Sequence, residues 1–283
     1  MTPPGPGATL SGSAEGALAP LRSRSALAWE FVYKTLVITG TEVRKLRHEP
    51  MDLLTRAVQP ALWLLIFGEV FNKAKVIPTG SLSYRDFMAP GILAQSVLFI
   101  AIFYGIAIIW ERDLGIVHKL LASPTPRGAL VLGKALSAGI RGLSQMVIIY
   151  LLASLRGVHI CWNPLALLGV MAAVILGAAL FSTFSLIIAC LVKTRERFMG
   201  IGQMMTMPLF FASNAIYSFE MMPPWLQTLA HFNPLTYEVD ALRALMIVGG
   251  TSHLGLAVDF GVLLGTTTVL VTICARLYPN VVR

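Results

Sequence analysis

The chain has 283 residues, of which 56% are hydrophobic and 13% charged, with 22 Lys and Arg against 14 Asp and Glu and a formal net charge of +8. An average soluble domain carries about 25% charged residues, so this composition excludes disorder and leaves too little polar surface for an ordinary cytosolic enzyme, while three Cys exclude a disulfide scaffold. A spanning helix takes roughly 20 apolar residues, and the apolar runs here are too long and continuous for barrel strands of about 10; the fold class expected is an all-α membrane protein.

Residues 1–25 are rich in Pro, Gly, Ser and Ala without pattern and read as a flexible cytoplasmic tail. Residues 26–52 hold an amphipathic helix over 26–48. Trp29, Val32, Tyr33, Leu36 and Val43 share one face, and Glu30, Lys34, Thr41, Lys45 and His48 the other. A basic helix with aromatic residues on its apolar side fits the membrane interface; packing on another domain is the alternative.

Six apolar segments then form a transmembrane domain over 53–278. They lie at about 53–71, 88–110, 134–155, 164–192, 199–219 and 254–277. Pro60, Pro164 and Pro208 mark span starts or kinks. Six spans put both termini on one side. With the N-terminus inside, sixteen Lys and Arg fall on the cytoplasmic side and five outside, which orients the chain in the inner or plasma membrane with both termini cytoplasmic.

Two connections are more than loops. From Glu111 to Ala122 the cytoplasmic one makes about three helical turns, with Leu114, Val117, Leu120 and Leu121 on one side, and Ser123-Pro124-Thr125-Pro126 ends it. The external one, 220–253, mixes apolar and polar residues over a length unusual for a plain loop and reads as short helices dipping into the outer face.

Catalytic signatures are missing. The chain has no GxxxxGKS/T phosphate loop, no HExxH and no paired Cys/His cluster; His48, His118, His159, His231 and His253 are scattered. Cys161, Cys190 and Cys274 read as buried thiols. Deep acidic groups, which ion-coupled transport usually needs, reduce on this reading to Glu69 and Asp259, both near outer span ends. Glu69 can pair with Lys73 one turn on, and Asp259 reads as an interfacial charge.

The stretch Trp110-Glu111-Arg112-Asp113-Leu114-Gly115-Ile116-Val117-His118-Lys119-Leu120-Leu121, followed by Ala122-Ser123-Pro124-Thr125-Pro126-Arg127, precedes the third span. Asn233-Pro234-Leu235-Thr236-Tyr237-Glu238-Val239-Asp240-Ala241-Leu242-Arg243 precedes the last. Together they resemble the membrane subunits of ABC-2-type ATP-binding-cassette exporters, of the daunorubicin/doxorubicin-resistance and Nod-factor-exporter types, over about residues 28–278. The resemblance implies a dimer with a second permease copy or a paralogue, and two copies of a separate ATPase that carries ATP and Mg. No cofactor is expected on this chain. The helix at 111–122 would be the coupling helix, with Glu111, Arg112, Gly115, Lys119, Leu120 and Leu121 at the ATPase contact and Asn233, Pro234, Asp240 and Arg243 as an external motif.

Pathway candidates follow from faces. Arg141 shares a helix face with Ser137 and Gln145 and is read as the one formal charge well inside a span; it either faces a pathway or neighbouring helix, or snorkels about 10 Å to the cytoplasmic surface. Gln95, Phe99 and Phe103 line up in the second span, and Gln203, Thr206, Phe210 and Ser213 in the fifth beside Met204, Met205 and Met207. Such stripes suit amphipathic ligands or plain packing. The function expected is an ATP-driven exporter permease for a drug, lipid or glycolipid among membrane lipids, with no nucleic-acid partner. A polysaccharide or lipid-linked glycan exporter of the same family, or an ion-coupled transporter without an ATPase, is the alternative.

Overall fold

The structure is a computed structural model that describes residues 24–47, 55, 58–74, 82–117, 126–192 and 194–278. Expectations for 1–23, 48–54, Lys119, Leu120, Leu121 and the first three residues of the Ser123–Pro126 breaker fall outside those residues. In chain order the helices are α1 (Arg24–Arg47), a π-helical turn (Trp63–Phe67) leading into α2 (Gly68–Ala74), α3 (Tyr84–Tyr104), α4 (Ile106–Asp113), α5 (Arg127–Leu155), α6 (Pro164–Leu191), α7 (Arg195–Phe211), α8 (Pro224–Phe232), α9 (Pro234–Met246) and α10 (Leu256–Leu277). The described residues are helical apart from turns, a 3-10 turn at Phe219–Met221 and one isolated bridge, Ile160 to Ile247.

Among the described residues, four helices are long and apolar enough to cross a membrane: Tyr84–Asp113, Arg127–Leu155, Pro164–Leu191 and Leu256–Leu277. They match the second, third, fourth and sixth expected spans. The first is described only from residue 58, where it runs as helix to Ala74. The fifth is shorter than expected. α7 has 17 residues and stops at Phe211, three residues after Pro208, so it rises only about 25 Å.

Local sequence explains the boundaries. Ser83, Asn163 and Thr194 cap α3, α6 and α7 by accepting from the amides of Asp86, Leu165 and Arg197. Pro164 and Pro234 sit at first helical positions, where the missing N–H costs nothing. α3 and α4 are one rod broken at Gly105, where the Ser185 hydroxyl of α6 donates to the Ile102 carbonyl and leaves no room for a side chain.

α5 packs along α6, and α3 lies across both. In lipid, helices associate through close packing rather than through a hydrophobic driving force. Glycines supply the close approaches. A Cβ at Gly91 of α3 would overlap the Ala215 backbone, and one at Gly133 of α5 would sit 2.8 Å from the Ile38 side chain of α1. The main core joins Met88, Ile92 and Leu98 to Phe181, Val239 and Leu242; a second cluster at the other end gathers Ile108, Ile109, Leu130, Phe198, Cys274 and Tyr278.

α1 lies against α5 through Thr39, whose hydroxyl donates to Gly133 O at 3.2 Å, and through Phe31 and Ile38 against Gly128 and Gly133. Its expected apolar face points away from the bundle: Trp29, Tyr33 and Leu36 are 74%, 60% and 60% exposed. Glu30 and Lys34 pair at 2.7 Å, half-buried.

The segment after α7 goes out and back. Residues 212–223 reach the end of the bundle where Tyr84 donates to Ile216 O at 3.3 Å. α8 returns, and Asn233 at the bottom is tied to Leu209 and Ala212. α9 then climbs past Gly177 and Gly169 of α6 to the Ile160–Ile247 bridge. The expected short helices of the 220–253 connection are present as α8 and α9, and α9 is in contact with α3, α6 and α10.

Candidate functional site

The candidate residues fall into three groups along the bundle, beginning at the end that carries Glu111. The expected helix from Glu111 to Ala122 is not continuous. Glu111, Arg112 and Asp113 complete α4, and Gly115 stops it with φ +72°, donating to Arg112 O at 2.9 Å. Only Ile116 and Val117 resume helical geometry before the described residues end. Val117 turns inward at 0% exposure while Leu114 and Ile116 stay out.

Glu111 is buried within the chain. Its carboxylate accepts from Lys134 of α5 at 2.7 Å, and both side chains are nearly buried. The exposed polar contact lies beside it. Asp113 accepts from Arg195 of α7 at 2.7 Å and from Arg112 at 3.2 Å, and the Arg195 guanidinium stacks 3.5 Å over the Trp110 ring. The rod α3–α4 is thereby tied to the start of α7, beside an exposed apolar strip of Trp110, Leu114 and Ile116.

The second group lies about a turn and a half deeper. Arg141 sits 4.9 Å from the Tyr104 ring centroid, the Tyr104 hydroxyl meets Ser137 at 2.9 Å, and the Arg141 Nε is buried without a hydrogen-bond partner. Arg141 and Ser137 therefore both face Tyr104 of α3. Lys134 lies on the same helix, about two turns before Arg141.

The two aligned stripes do not form one surface. Gln95 is fully buried and neither amide atom has a partner. Phe99 and Phe103 stack at 6.1 Å and are half-buried. On α7, Gln203 is exposed, but Thr206 and Phe210, and Ser213 just beyond, are buried in the chain's own core. The exposed side of α7 carries Met204, Pro208 and Phe211. Met204, Met205, Pro208, Leu209, Phe232 and Pro234 line an almost wholly apolar pocket of about 330 Å³ there.

The third group is the far motif. Asn233 caps α9 by accepting from Leu235 N at 3.0 Å, and its amide donates to Leu209 O at 2.6 Å and Ala212 O at 2.9 Å. One side chain thus closes the hairpin, and Pro234 starts the helix it caps. Arg243 donates to Asn214 O at 2.6 Å and stacks 3.9 Å over the Phe87 ring. Burial pulls its guanidinium down to about 10, with the charge of Asp240 opposing. Asp240 accepts from Leu254 N and lies 2.9 Å from Ser252 Oγ, which lies 3.0 Å from Asp259.

Several charged residues escaped the sequence reading. Asp259, in the first turn of α10, is fully buried within the chain, and Asp86, which accepts from the His159 amide at 3.0 Å, is buried too. Glu238 is 0% exposed with no hydrogen bond to either oxygen, and its carboxyl fills the space above Gly177. A signal was present: Leu235 and Leu242 flank Glu238 at i−3 and i+4 on one helical face. Glu69 pairs with Lys73 as expected, at 3.7 Å, and also with Arg85 and Arg156, each at 3.6 Å.

Residues 33–247 match the family described as ABC-2 type transporter. Among curated proteins, the chain is 28% identical over 230 residues to a Cyanophora paradoxa protein named as a transport permease, ycf38, covering 79% of this chain and 78% of the relative. It is 26% identical over 253 residues to the daunorubicin resistance ABC transporter permease protein DrrB1 of Streptomyces coeruleorubidus, covering 88% and 87%. Against the inner membrane transport permease YadH of Escherichia coli K12 it is 25% identical over 240 residues, covering 82% and 88%.

Proposed function

Because the chain belongs to the ABC-2 type transporter family, as a multi-pass membrane permease and a non-catalytic transport subunit, we propose that it forms half of an export pathway driven by a separate ATPase. Two permeases, identical or paralogous, would pair with two ATPase copies that hold ATP and Mg. The family match is the observation that carries this reading, since it runs unbroken from α1 to the end of α9 and so includes both motif stretches.

In this reading the chain crosses the inner or plasma membrane six times with both termini cytoplasmic. α7 and the out-and-back segment after it supply the fifth crossing, and residues 53–74 the first. The ATPase docks at the Trp110–Val117 end. The exposed apolar strip of Trp110, Leu114 and Ile116 is what a groove on the partner would cover. Closure of the ATPases would pull on α4, and the Asp113–Arg195–Trp110 contact would carry that movement to α7. α1, with Trp29, Tyr33 and Leu36 outward, fits a helix lying in the lipid interface.

The transported molecule is proposed to be amphipathic: a drug, lipid or glycolipid. The methionine-lined apolar pocket beside α7 suits varied apolar groups. The test is co-purification with an ATPase encoded beside this chain, followed by transport in vesicles with and without ATP. Export that needs ATP and is lost when the partner's phosphate-loop Lys is replaced supports the proposal. Transport by the permease alone, driven by an ion gradient, overturns it.

A further inference from the structure

α9 places two acidic groups where no ion should sit unaided. Glu238 rests on Gly177, the fourteenth residue of α6 and so about 20 Å along it. It is fully buried, and neither oxygen has a hydrogen-bond partner. α6 holds no charged residue from Pro164 to Leu191 that could neutralise it. Burying an ionised carboxylate without a partner carries a large desolvation cost, so the seated form of this residue is the neutral acid.

The second group gives an independent proton count. Ser252 Oγ accepts from Gly255 N at 2.7 Å and lies 2.9 Å from Asp240 Oδ2 and 3.0 Å from Asp259 Oδ2. A hydroxyl has one hydrogen and two lone pairs. It can donate to one carboxylate only, so the other must donate to it. Asp240 also accepts from Leu254 N and has Arg243 one turn on, whereas the second oxygen of Asp259 is buried and unpartnered. The extra proton therefore belongs on Asp259.

We propose that α9 is a proton-locked plug: it seats between α3, α6 and α10 only with a proton on Glu238 and a second proton shared through Ser252 between Asp240 and Asp259. Seating then takes up protons and unseating releases them. The seated state is favoured at low pH and weakens as pH rises. The other titratable and charged groups around α9 are Arg243 on the helix itself, Arg85 and Asp86 of α3 with His159 on Asp86, His231 of α8, and Glu220 and His253 in the flanking loops. Arg243 is engaged by Asn214 and Phe87, and Asp86 by His159.

The test uses the full chain in lipid nanodiscs, with infrared detection of carboxylic-acid C=O stretching and hydrogen exchange of the α9 amides corrected for intrinsic rate. Wild type should show buried carboxylic-acid bands at neutral pH, and α9 protection should fall as pH rises. Glu238→Gln and Asp259→Asn should each remove one band, and the double variant should hold its protection flat with pH. Two separate variants guard against either one failing to fold. Bands unchanged in both variants, or the wild-type pH slope retained in the double variant, would overturn the proposal.

Discussion

At the scale of single residues, the structure turns charges that read as surface groups into buried pairs. Glu111 and Lys134 meet at 2.7 Å with little solvent access. Removing one partner of a buried pair strands the other and costs about 3–5 kcal/mol, whereas replacing both with apolar groups can be neutral. Lys134→Met should therefore lower the thermal unfolding midpoint in detergent clearly. The double variant Glu111→Leu/Lys134→Met should recover most of the loss, and equal midpoints for the single and double variants would mean that the pair does not matter. Arg141 gives a second prediction. Its guanidinium faces Tyr104 at 4.9 Å, and cation–π contacts contribute about 0.5–2 kcal/mol. Lys keeps the charge but loses the planar face, so Arg141→Lys should shift the midpoint modestly and Arg141→Leu more. A Leu variant with wild-type stability and transport would restore the snorkelling reading.

At the scale of elements, α9 and its hairpin decide most. The helix is short, polar on one side and preceded by a turn, features that in a sequence mark a surface segment. It is buried because α6 offers Gly177 where Glu238 passes and Gly169 where Leu245 passes. An added methyl at Gly177 would overlap the Glu238 carboxyl. Gly177→Ala should accordingly destabilise the bundle, and Glu238→Ala in the same chain should relieve part of that loss, giving a non-additive cycle. Additive effects would mean that the two residues do not share the space. Asn233 holds the bottom of the hairpin by a cap and two carbonyl contacts. Loss of a cap alone costs about 1 kcal/mol, and leaving the Leu209 and Ala212 carbonyls unpaired adds to it. Asn233→Ala should raise hydrogen exchange at the start of α9 without altering α5 or α6.

At the scale of the whole molecule, the topology is open to a direct test. Tags at residue 10, at residues 193–197 and at the C-terminus should be reached from the cytoplasmic side, and tags near 78 and 222 from outside; cytoplasmic labelling at 222 would overturn six crossings. How much of this was legible beforehand depends on which interactions decide it. Composition and apolar run length by themselves determined an all-helical membrane chain and four of its long helices, because a lipid solvent obliges each crossing to satisfy its own backbone hydrogen bonds and to be apolar along its length. The two motif stretches named the family. Helix ends were legible where one residue sets them, as at Pro164. Side-chain partnership was not, because it is set between helices. Whether Glu111 meets solvent or Lys134, whether Thr206 and Phe210 line an open face or the chain's own core, and whether Asp259 lies at the interface or behind Ser252 depend on how α3, α5, α7 and α10 are rotated against one another. That rotation is fixed by close approaches, Gly91 on Ala215, Gly133 on Ile38 and Gly177 on Glu238, between residues distant in sequence, and no local periodicity encodes which of them will meet.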